Sequence, residues 1–290
     1  MSQRALLALR RPATADGVAD VSDWLALWDH VLASTDSAAK GGGGSLSSAA
    51  VALVAPRCAS TAVQAGLVQA LLASRKHSRV RLVNPAAAAL YSAGLTTGVA
   101  LDVGGASVVH TVRESLRQQG LHLDLPSEVE VAREIAEAVS QCGADPKQAV
   151  PGKYQLPDGS MLAVPSEAIR AGDCLFSPGN PDEPGLHTIV AACVAATDLH
   201  ARASLLNNVV MYGGGSLYTG APQAFLNNLA ASVPRGVNVS VRASKDRFMA
   251  PWTGASVLTA LEYKAEEGSW LTAGDIEEHG AVRAVERMHW

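Results

Sequence analysis

The stretch NNVVMYGGGSLYTG, residues 207–220, joins a buried-looking apolar run directly to three consecutive glycines and a serine. The run 209–212 predicts a strand inside a sheet, and the glycines predict a tight turn at its carboxyl end. A second glycine turn follows LDV in LDVGGAS, residues 101–107. Such turns let backbone N–H groups approach a phosphate, but they equally let strands and helices pack closely. Neither has the spacing of a Walker loop or of GxGxxG, so both interpretations stay open.

Around these turns, strands alternate with helices along the chain, which predicts an α/β fold. The predicted helices cover residues 21–35, 60–74, 85–94, 127–143, 187–206, 251–264 and 275–290. The predicted strands and hairpins cover residues 50–56, 79–83, 97–112 (strand, glycine turn, strand), 153–164 (hairpin) and 236–243. Ligands of such sheets lie beyond the carboxyl ends of the strands. We therefore expect the two glycine turns to face each other across a cleft, with Asp102 between them.

Composition limits the partners that the chain is expected to bind. Of its 290 residues, 48% are hydrophobic, which is enough for one large domain or two lobes. The formal net charge of −4 gives no general attraction to nucleic acid or to a membrane surface. Four scattered cysteines fit reduced thiols better than zinc ligands or disulfides. The Gly/Ser-rich stretch 37–48 predicts a flexible loop.

Several segments, in the same order along the chain, resemble successive parts of the actin family. They are ALYSAGLTTGVALDVGG, SEVEVAREIAEAVSQ, KYQLPDG, NNVVMYGGGSLYTG and RFMAPWTGASVLTAL. The resemblance implies the two-lobed actin-like fold that sugar kinases and heat-shock ATPases share. It also implies that the N-terminal phosphate-loop hairpin and the outer small subdomain are lacking. A further stretch of the family pattern is skipped between Val112 and Arg113.

The resemblance implies three parts in the chain. Residues 1–93 correspond to a remnant of the small lobe that includes the loop 37–48. Residues 94–250 correspond to the large lobe, with 128–183 as its outer part. Residues 251–290 return to the small lobe.

The same resemblance implies a residual nucleotide site. Its residues would be Asp102, Gly104, Gly105, Glu137, Gly213, Gly214 and Gly215. His110 matches a histidine near the attacking water of the family. Other positions depart from the pattern: Gly105 and Ala106 stand where a second aspartate is expected, Pro85 replaces a glutamine, and Ala136 and Phe248 replace lysines.

These departures predict no catalytic residues, no metal site and no cofactor, because ATP hydrolysis needs a held triphosphate, a metal ion and an ordered water. We expect a non-catalytic, actin-related structural subunit of a cytoskeletal assembly of the axonemal or dynactin-like kind. An actin-like protein that still binds ATP or ADP with Mg²⁺ is the first alternative. A nuclear subunit of a chromatin-remodelling complex is the second.

The expected partners are other protein subunits, with no nucleic acid, no membrane and no self-polymerisation. The C-terminal segment 275–290 is either a capping helix or a docking helix with Met288 and Trp290 as anchors. We expect the chain in the cytoplasm on the cytoskeleton, including the cilium or flagellum, with the nucleus as the alternative.

Overall fold

A computed structural model describes residues 13–14, 17–18, 20–38, 49–55, 60–75, 77–143, 152–156, 159–262 and 269–288. The chain divides into two compact units. In the described residues, the first unit is Ala93–Ala250, and the second unit combines Arg10–Ser92 with Pro251–Trp290. No helix in the described ranges has both the length and the apolar character needed to cross a membrane.

The strands of the described residues are short and lie in four small sheets. They are β1 Ala13–Thr14, β2 Gly17–Val18, β3 Val51–Val54, β4 Val80–Val83, β5 Val99–Asp102, β6 Gly152–Gln155, β7 Met161–Val164, β8 Val209–Tyr212 and β9 Val241–Arg242. The pairs β1–β2 and β6–β7 are antiparallel, β3–β4 is parallel, and β5–β8–β9 form a three-stranded parallel sheet.

Helices account for most of the regular structure. They are α1 Val21–Ala38, α2 Thr61–Gln69, α3 Pro85–Ser92, α4 Ala106–Arg117, α5 Pro126–Val139, α6 Ser166–Ile169, α7 Leu186–Ala195, α8 Leu199–Leu206, α9 Ala221–Ser232, α10 Ala250–Glu262, α11 Ala273–His279 and α12 Ala281–Arg287. A π-helical turn covers Ala70–Ser74, and 3₁₀-helical turns cover Ala171–Leu175, Gly214–Leu217 and Arg247–Met249.

In the first unit, helices cover the parallel sheet. Strands β5 and β8 are paired in parallel from Val99–Val209 to Asp102–Tyr212, so their carboxyl ends reach the same edge. The core beneath this edge contains fully buried side chains from α4, α5, β8 and α9, namely Leu116, Ile135, Met211, Phe225 and Leu229. The predicted hairpin within 153–164 is confirmed by the pairing of β6 with β7, although its central residues 157–158 lie outside the described residues.

One prediction in this unit is wrong. Residues 97–112 were expected to form strand, turn and second strand, but β5 is followed by the helix α4. The β-branched residues of SVVHTV favour a strand by propensity, whereas their spacing decides the outcome. Val108, Val112 and Leu116 recur at helical spacing and are all fully buried. The point between Val112 and Arg113, where the family pattern is interrupted, lies inside this continuous helix.

Two predicted helices are each divided in the structure. Residues 187–206 form α7 and α8, and Arg202 donates hydrogen bonds to the carbonyl oxygens of Ala195 (2.6 Å) and Thr197 (3.0 Å) at the break. The C-terminal segment forms α11 and α12, which meet at Gly280 with a φ of 77°. A positive φ cannot continue a right-handed helix, so this glycine sets the break.

The second unit is built on the β3–β4 pair. Helices α2 and α12 pack with it around a core that includes Val68, Leu71, Val80 and Val285. Helix α1 adds the half-buried Trp24 and Trp28, whose rings stack at 5.3 Å between centroids. Their contact with the core shows that this helix contributes to packing.

Candidate functional site

The two glycine turns of the first unit are in direct contact. Because β5 and β8 are neighbouring parallel strands, the turns that follow them leave the sheet side by side. The Val103 N–H donates to the Tyr212 carbonyl at 2.9 Å, and the Gly215 N–H donates to the Val103 carbonyl at 2.8 Å. The expectation that the turns face each other across a cleft is therefore wrong, since a backbone ladder joins them.

This contact explains two of the glycines. Gly213 has a φ of 92°, and a Cβ there would lie 2.4 Å from Asp102 Oδ1 and 2.7 Å from the Val103 carbonyl oxygen. A Cβ on Gly215 would lie 2.4 Å from the Gly104 carbonyl oxygen. Both positions need glycine for the backbone to approach so closely. The packing interpretation of the turn is thus confirmed for Gly213 and Gly215.

Gly104 and Gly214 differ from these two. Both are exposed, neither has a positive φ, and a Cβ on either would meet nothing within 4 Å. The packing of the fold therefore does not require glycine at these two positions. They are the places where the turns present bare backbone to solvent.

A pocket of about 320 Å³ opens beside Gly214. It brings together four of the predicted site residues, Gly105, Glu137, Gly214 and Gly215, with Val109, Arg133, Leu217 and Tyr218. Asp102, Gly104 and Gly213 do not line it. The pocket thus has backbone from both turns on one side and the side chains of α5 on the other.

Arg133 is a pocket residue that the sequence analysis missed. It lies on α5 one turn before Glu137, so the two side chains project from the same face of the helix. The Arg133 guanidinium also lies 3.5 Å from a Glu130 carboxylate oxygen. The signal in the sequence is its spacing of four residues from Glu137, since side chains at that spacing share one face of a helix.

Tyr218 forms the buried wall of the pocket. Its side chain is 6% exposed, and burial, with a smaller contribution from the Glu137 carboxylate, raises the pKa of its phenol to about 12. The hydroxyl would lie 3.1 Å from a Cβ on Gly105. At neutral pH the phenol is uncharged, and it fills the space beneath the first turn.

Arg247 holds the second turn from outside the pocket. Its guanidinium donates to the Ser216 carbonyl oxygen (2.8 Å), to Ser216 Oγ (3.0 Å) and to the Ser244 carbonyl oxygen (2.8 Å). Partial burial lowers the pKa of this arginine. The sequence carried no signal for this contact, because it joins residues 31 positions apart.

Asp102 lies at the carboxyl end of β5, where the first glycine turn begins. Asp102 is the carboxylate that the first turn supplies, and burial raises its pKa. In the described part of the chain, no group of three or more His, Cys, Asp or Glu side chains is placed to bind a metal ion. The pocket-lining residues include one arginine and no lysine.

The remaining residues singled out from the sequence lie elsewhere. His110 is exposed on α4 and lines a separate cavity of about 710 Å³ with Ser107, Thr111 and Cys174. Met288 is 5% exposed and packs in the core of the second unit, which does not fit an exposed anchor. Trp290 lies outside the described residues.

A comparison with protein families matches residues 108–289 to the family described as Actin. The matched region begins within α4, after Asp102, Gly104 and Gly105, and it includes α5, the β8 turn and α10. It spans more than half of the chain, and the mixed helices and sheets fit the α/β actin-like fold. The chain belongs to the actin family.

Proposed function

We propose that this actin-family chain is a non-catalytic subunit of a cytoskeletal multiprotein assembly, of the axonemal or dynactin-like kind, and acts by binding other proteins. The observation that carries the proposal is an exposed, uncharged face on α10. Trp252 is 64% exposed, Val257 40% and Leu261 65%. Apolar side chains of this size, exposed along the solvent-facing half of one helix, mark a protein-binding surface.

The exposed residues of α10 cover the half of the helix that faces solvent, with Trp252 at one border and Leu261 at the other. They are all uncharged: Trp252, Thr253, Ser256, Val257, Ala260 and Leu261. The opposite side, with Gly254, Ala255 and Leu258, is buried. We call the exposed half the α10 face. A helix of this kind has one apolar side for its own core and a second for a partner.

The α10 face is held firmly in place within the second unit. A Cβ on Gly254 would lie 1.6 Å from the Ala88 carbonyl oxygen, so α10 packs directly on the backbone of α3. Ala255 and Leu258 join Ala88 and Val83 in a small buried cluster. A rigid apolar anchor loses little conformational freedom on binding, which favours affinity.

The experiment compares variants of the chain, affinity-tagged and expressed in its native source. Trp252→Ser with Leu261→Ser removes the apolar anchors of the α10 face, and Leu199→Ser on α8 is the control, since Leu199 is 72% exposed in the first unit. Proteins that co-purify in stoichiometric amounts should be lost with the double variant and kept with the control. Motor-associated or axonemal proteins among them would support the cytoskeletal assignment. A single monodisperse chain would contradict the proposal.

Residual nucleotide binding is a second candidate, which the pocket beside Gly214 favours. Gly214 exposes its backbone, although packing does not require a glycine at this position. Arg133 and Glu137 place hydrogen-bonding groups on the other side of the pocket. These groups suit the base and sugar of a nucleotide, because hydrogen bonds can fix its orientation beside the apolar Val109 and Leu217. Calorimetric titration with ATP or ADP tests this candidate, and Gly214→Val should abolish any binding without unfolding the chain.

A further inference from the structure

Helix α1 is attached to the second unit by few contacts. Trp24, Leu25 and Trp28 are half-buried against the core, and none of the described side chains of this helix is fully buried. An ion pair adds to these contacts, since the Arg75 guanidinium donates to the two carboxylate oxygens of Asp29 at 2.5 and 2.6 Å. Elements with little buried apolar surface are the first to open in a folded protein. One further contact can therefore decide whether α1 stays docked.

That further contact is a hydrogen bond between Trp28 and His77. The indole Nε1–H of Trp28 donates to Nε2 of His77 at 3.2 Å, and the two rings meet edge to face with their centroids 5.9 Å apart. The other ring nitrogen of His77, Nδ1, lies 3.1 Å from the carbonyl oxygen of Ala49. His77 is only 4% exposed. Its imidazole is thus held at both nitrogens, between α1 and the segment that leads into β3.

These partners determine the protonation state that the docked helix needs. An indole N–H can only donate, so Nε2 of His77 must present its lone pair. A carbonyl oxygen can only accept, so the proton of the ring is on Nδ1. A second proton, on Nε2, would point at the indole N–H and replace the hydrogen bond by a buried contact between two donors. Such a contact is unfavourable, because neither donor is then satisfied.

No counter-charge contacts the imidazole in the described part of the chain. His77 contacts α1, the segment before β3 and, through its backbone N–H, Leu71 of the π-helical turn. The charged or titratable side chains described on these elements and next to His77 in sequence are Asp23, Asp29, His30, Arg75, Arg79 and Arg81. None of them forms a hydrogen bond or an ion pair with the His77 ring. The Asp29 carboxylate is engaged by Arg75, and His30 is exposed.

We propose that His77 is a pH-sensitive switch for the docking of α1. The helix is docked while the imidazole is neutral, and it separates from the second unit when the imidazole takes up a proton. Docking is therefore strongest at the higher pH and weakens as the pH falls. Separation uncovers the part of the core that Trp24, Leu25 and Trp28 contact. It requires neither the α10 face nor a partner protein.

Hydrogen exchange of the purified full-length chain, read by mass spectrometry, tests the switch. Exchange rates are corrected for the intrinsic effect of pH and compared at pH 7.5 and pH 5.5, on either side of the ordinary histidine pKa of about 6.5. Protection of the α1 amides should fall about tenfold at pH 5.5, the effect of losing one buried hydrogen bond. A released helix of 18 residues is only marginally stable in water, so its amides exchange. Helix α4 of the first unit is the internal reference and should change by less than about twofold.

Three variants distinguish the switch from a general effect of acid. His77→Phe keeps an aromatic ring but cannot titrate, and Trp28→Phe removes the indole N–H. Each should lower the protection of α1 at pH 7.5 and abolish most of the change between the two pH values. His30→Gln is the matched control, because His30 is an exposed histidine on the same helix. It should keep the full change.

Three outcomes would overturn the proposal. The first is equal protection of α1 at both pH values in the unsubstituted chain. The second is a tenfold change that persists in His77→Phe, since another group would then cause it. The third is loss of the change in His30→Gln. If His77→Phe does not fold, Trp28→Phe decides, and an undiminished pH dependence in that variant contradicts the switch.

Discussion

The β5–β8 edge of the first unit and helix α10 of the second unit both depend on closely packed glycines, but α10 also exposes large apolar side chains. At the β5–β8 edge, Gly213 and Gly215 allow the backbones of the two turns to contact each other. On α10, Gly254 is also used in packing, yet the other side of the helix has no packing role within its own unit. A glycine-rich motif can thus be structural, while a helix without any glycine motif exposes a broad apolar surface.

The largest effect is expected at the contact between α10 and α3. Gly254→Ala places a methyl group 1.6 Å from the Ala88 carbonyl oxygen, so the two helices must separate. We expect a loss of about 3 kcal/mol or more in the free energy of unfolding, as for overpacked cores. Chemical denaturation followed by circular dichroism measures it.

Gly274→Ala provides the control for this change. Gly274 is also helical, but the nearest atom to an added Cβ, Thr272 Oγ1, is 3.7 Å away. Higher helix propensity should stabilise this variant by about 0.5–1 kcal/mol. Equal destabilisation by both substitutions would contradict the close packing of α10 on α3.

The second prediction separates the two kinds of glycine at the β5–β8 edge. Gly215→Ala forces the turns apart, because its Cβ would lie 2.4 Å from the Gly104 carbonyl oxygen, and should cost about 1–3 kcal/mol. Gly214→Ala has open space and should change the unfolding free energy by less than about 0.5 kcal/mol. Thermal denaturation of both variants checks this difference. If Gly214→Ala were the more harmful, the assignment of packing and exposed glycines would be reversed.

The third prediction concerns Arg247, which supports the same turn from outside. Arg247→Ala removes its hydrogen bonds to Ser216 and Ser244, and we expect a loss of about 1–2 kcal/mol because the guanidinium is partly solvated. Urea denaturation gives the value. Arg242→Ala is the control, since Arg242 is exposed and makes a single 3.4 Å hydrogen bond to Asn208. A loss of the same size in both variants would show that the turn does not depend on Arg247.

The smallest expected effect is the pH dependence of the α11 cap. Hydrogen bonds from Thr272 lower the pKa of Asp275 in the folded chain. The carboxylate therefore stabilises the fold above the ordinary aspartate pKa of about 4, and this contribution is lost as the pH falls through the lower, folded-state value. Thr272→Ala should lower the free energy of unfolding by about 1 kcal/mol at neutral pH and weaken its dependence on pH in the acid range. An unchanged pH dependence in the acid range would show that the α11 cap does not cause it.

Much of the fold was predictable because the spacing of apolar residues within a single segment indicates its helix or strand. The apolar run of β8, the helix α5 and the β6–β7 hairpin all follow from spacing and turn residues. Helix α4 was missed because β-branched residues favour a strand locally, while burial of every third or fourth residue decides in favour of a helix. The breaks at Thr197 and Gly280 depend on one arginine contact and one positive φ, which a periodic pattern does not register.

The candidate site was only partly predictable. The pocket unites Gly105, Glu137, Gly214 and Gly215, which the family resemblance selected together. Which glycines serve packing and which face solvent depends on the register of β5 with β8, a contact between residues more than 100 positions apart. The α10 face was present in the sequence as an apolar helix, but only the structure shows which of its two apolar sides is covered.

The most direct test of this account is hydroxyl-radical footprinting of the chain alone and in its native assembly, with oxidation read for individual side chains. We predict that Trp252 and Leu261 become protected from oxidation in the assembly. Leu217, which is 44% exposed in the pocket beside Gly214, should be oxidised at an unchanged rate. Protection of Leu217 by added ATP, with Trp252 equally reactive alone and in the assembly, would contradict a role through the α10 face and favour the nucleotide pocket.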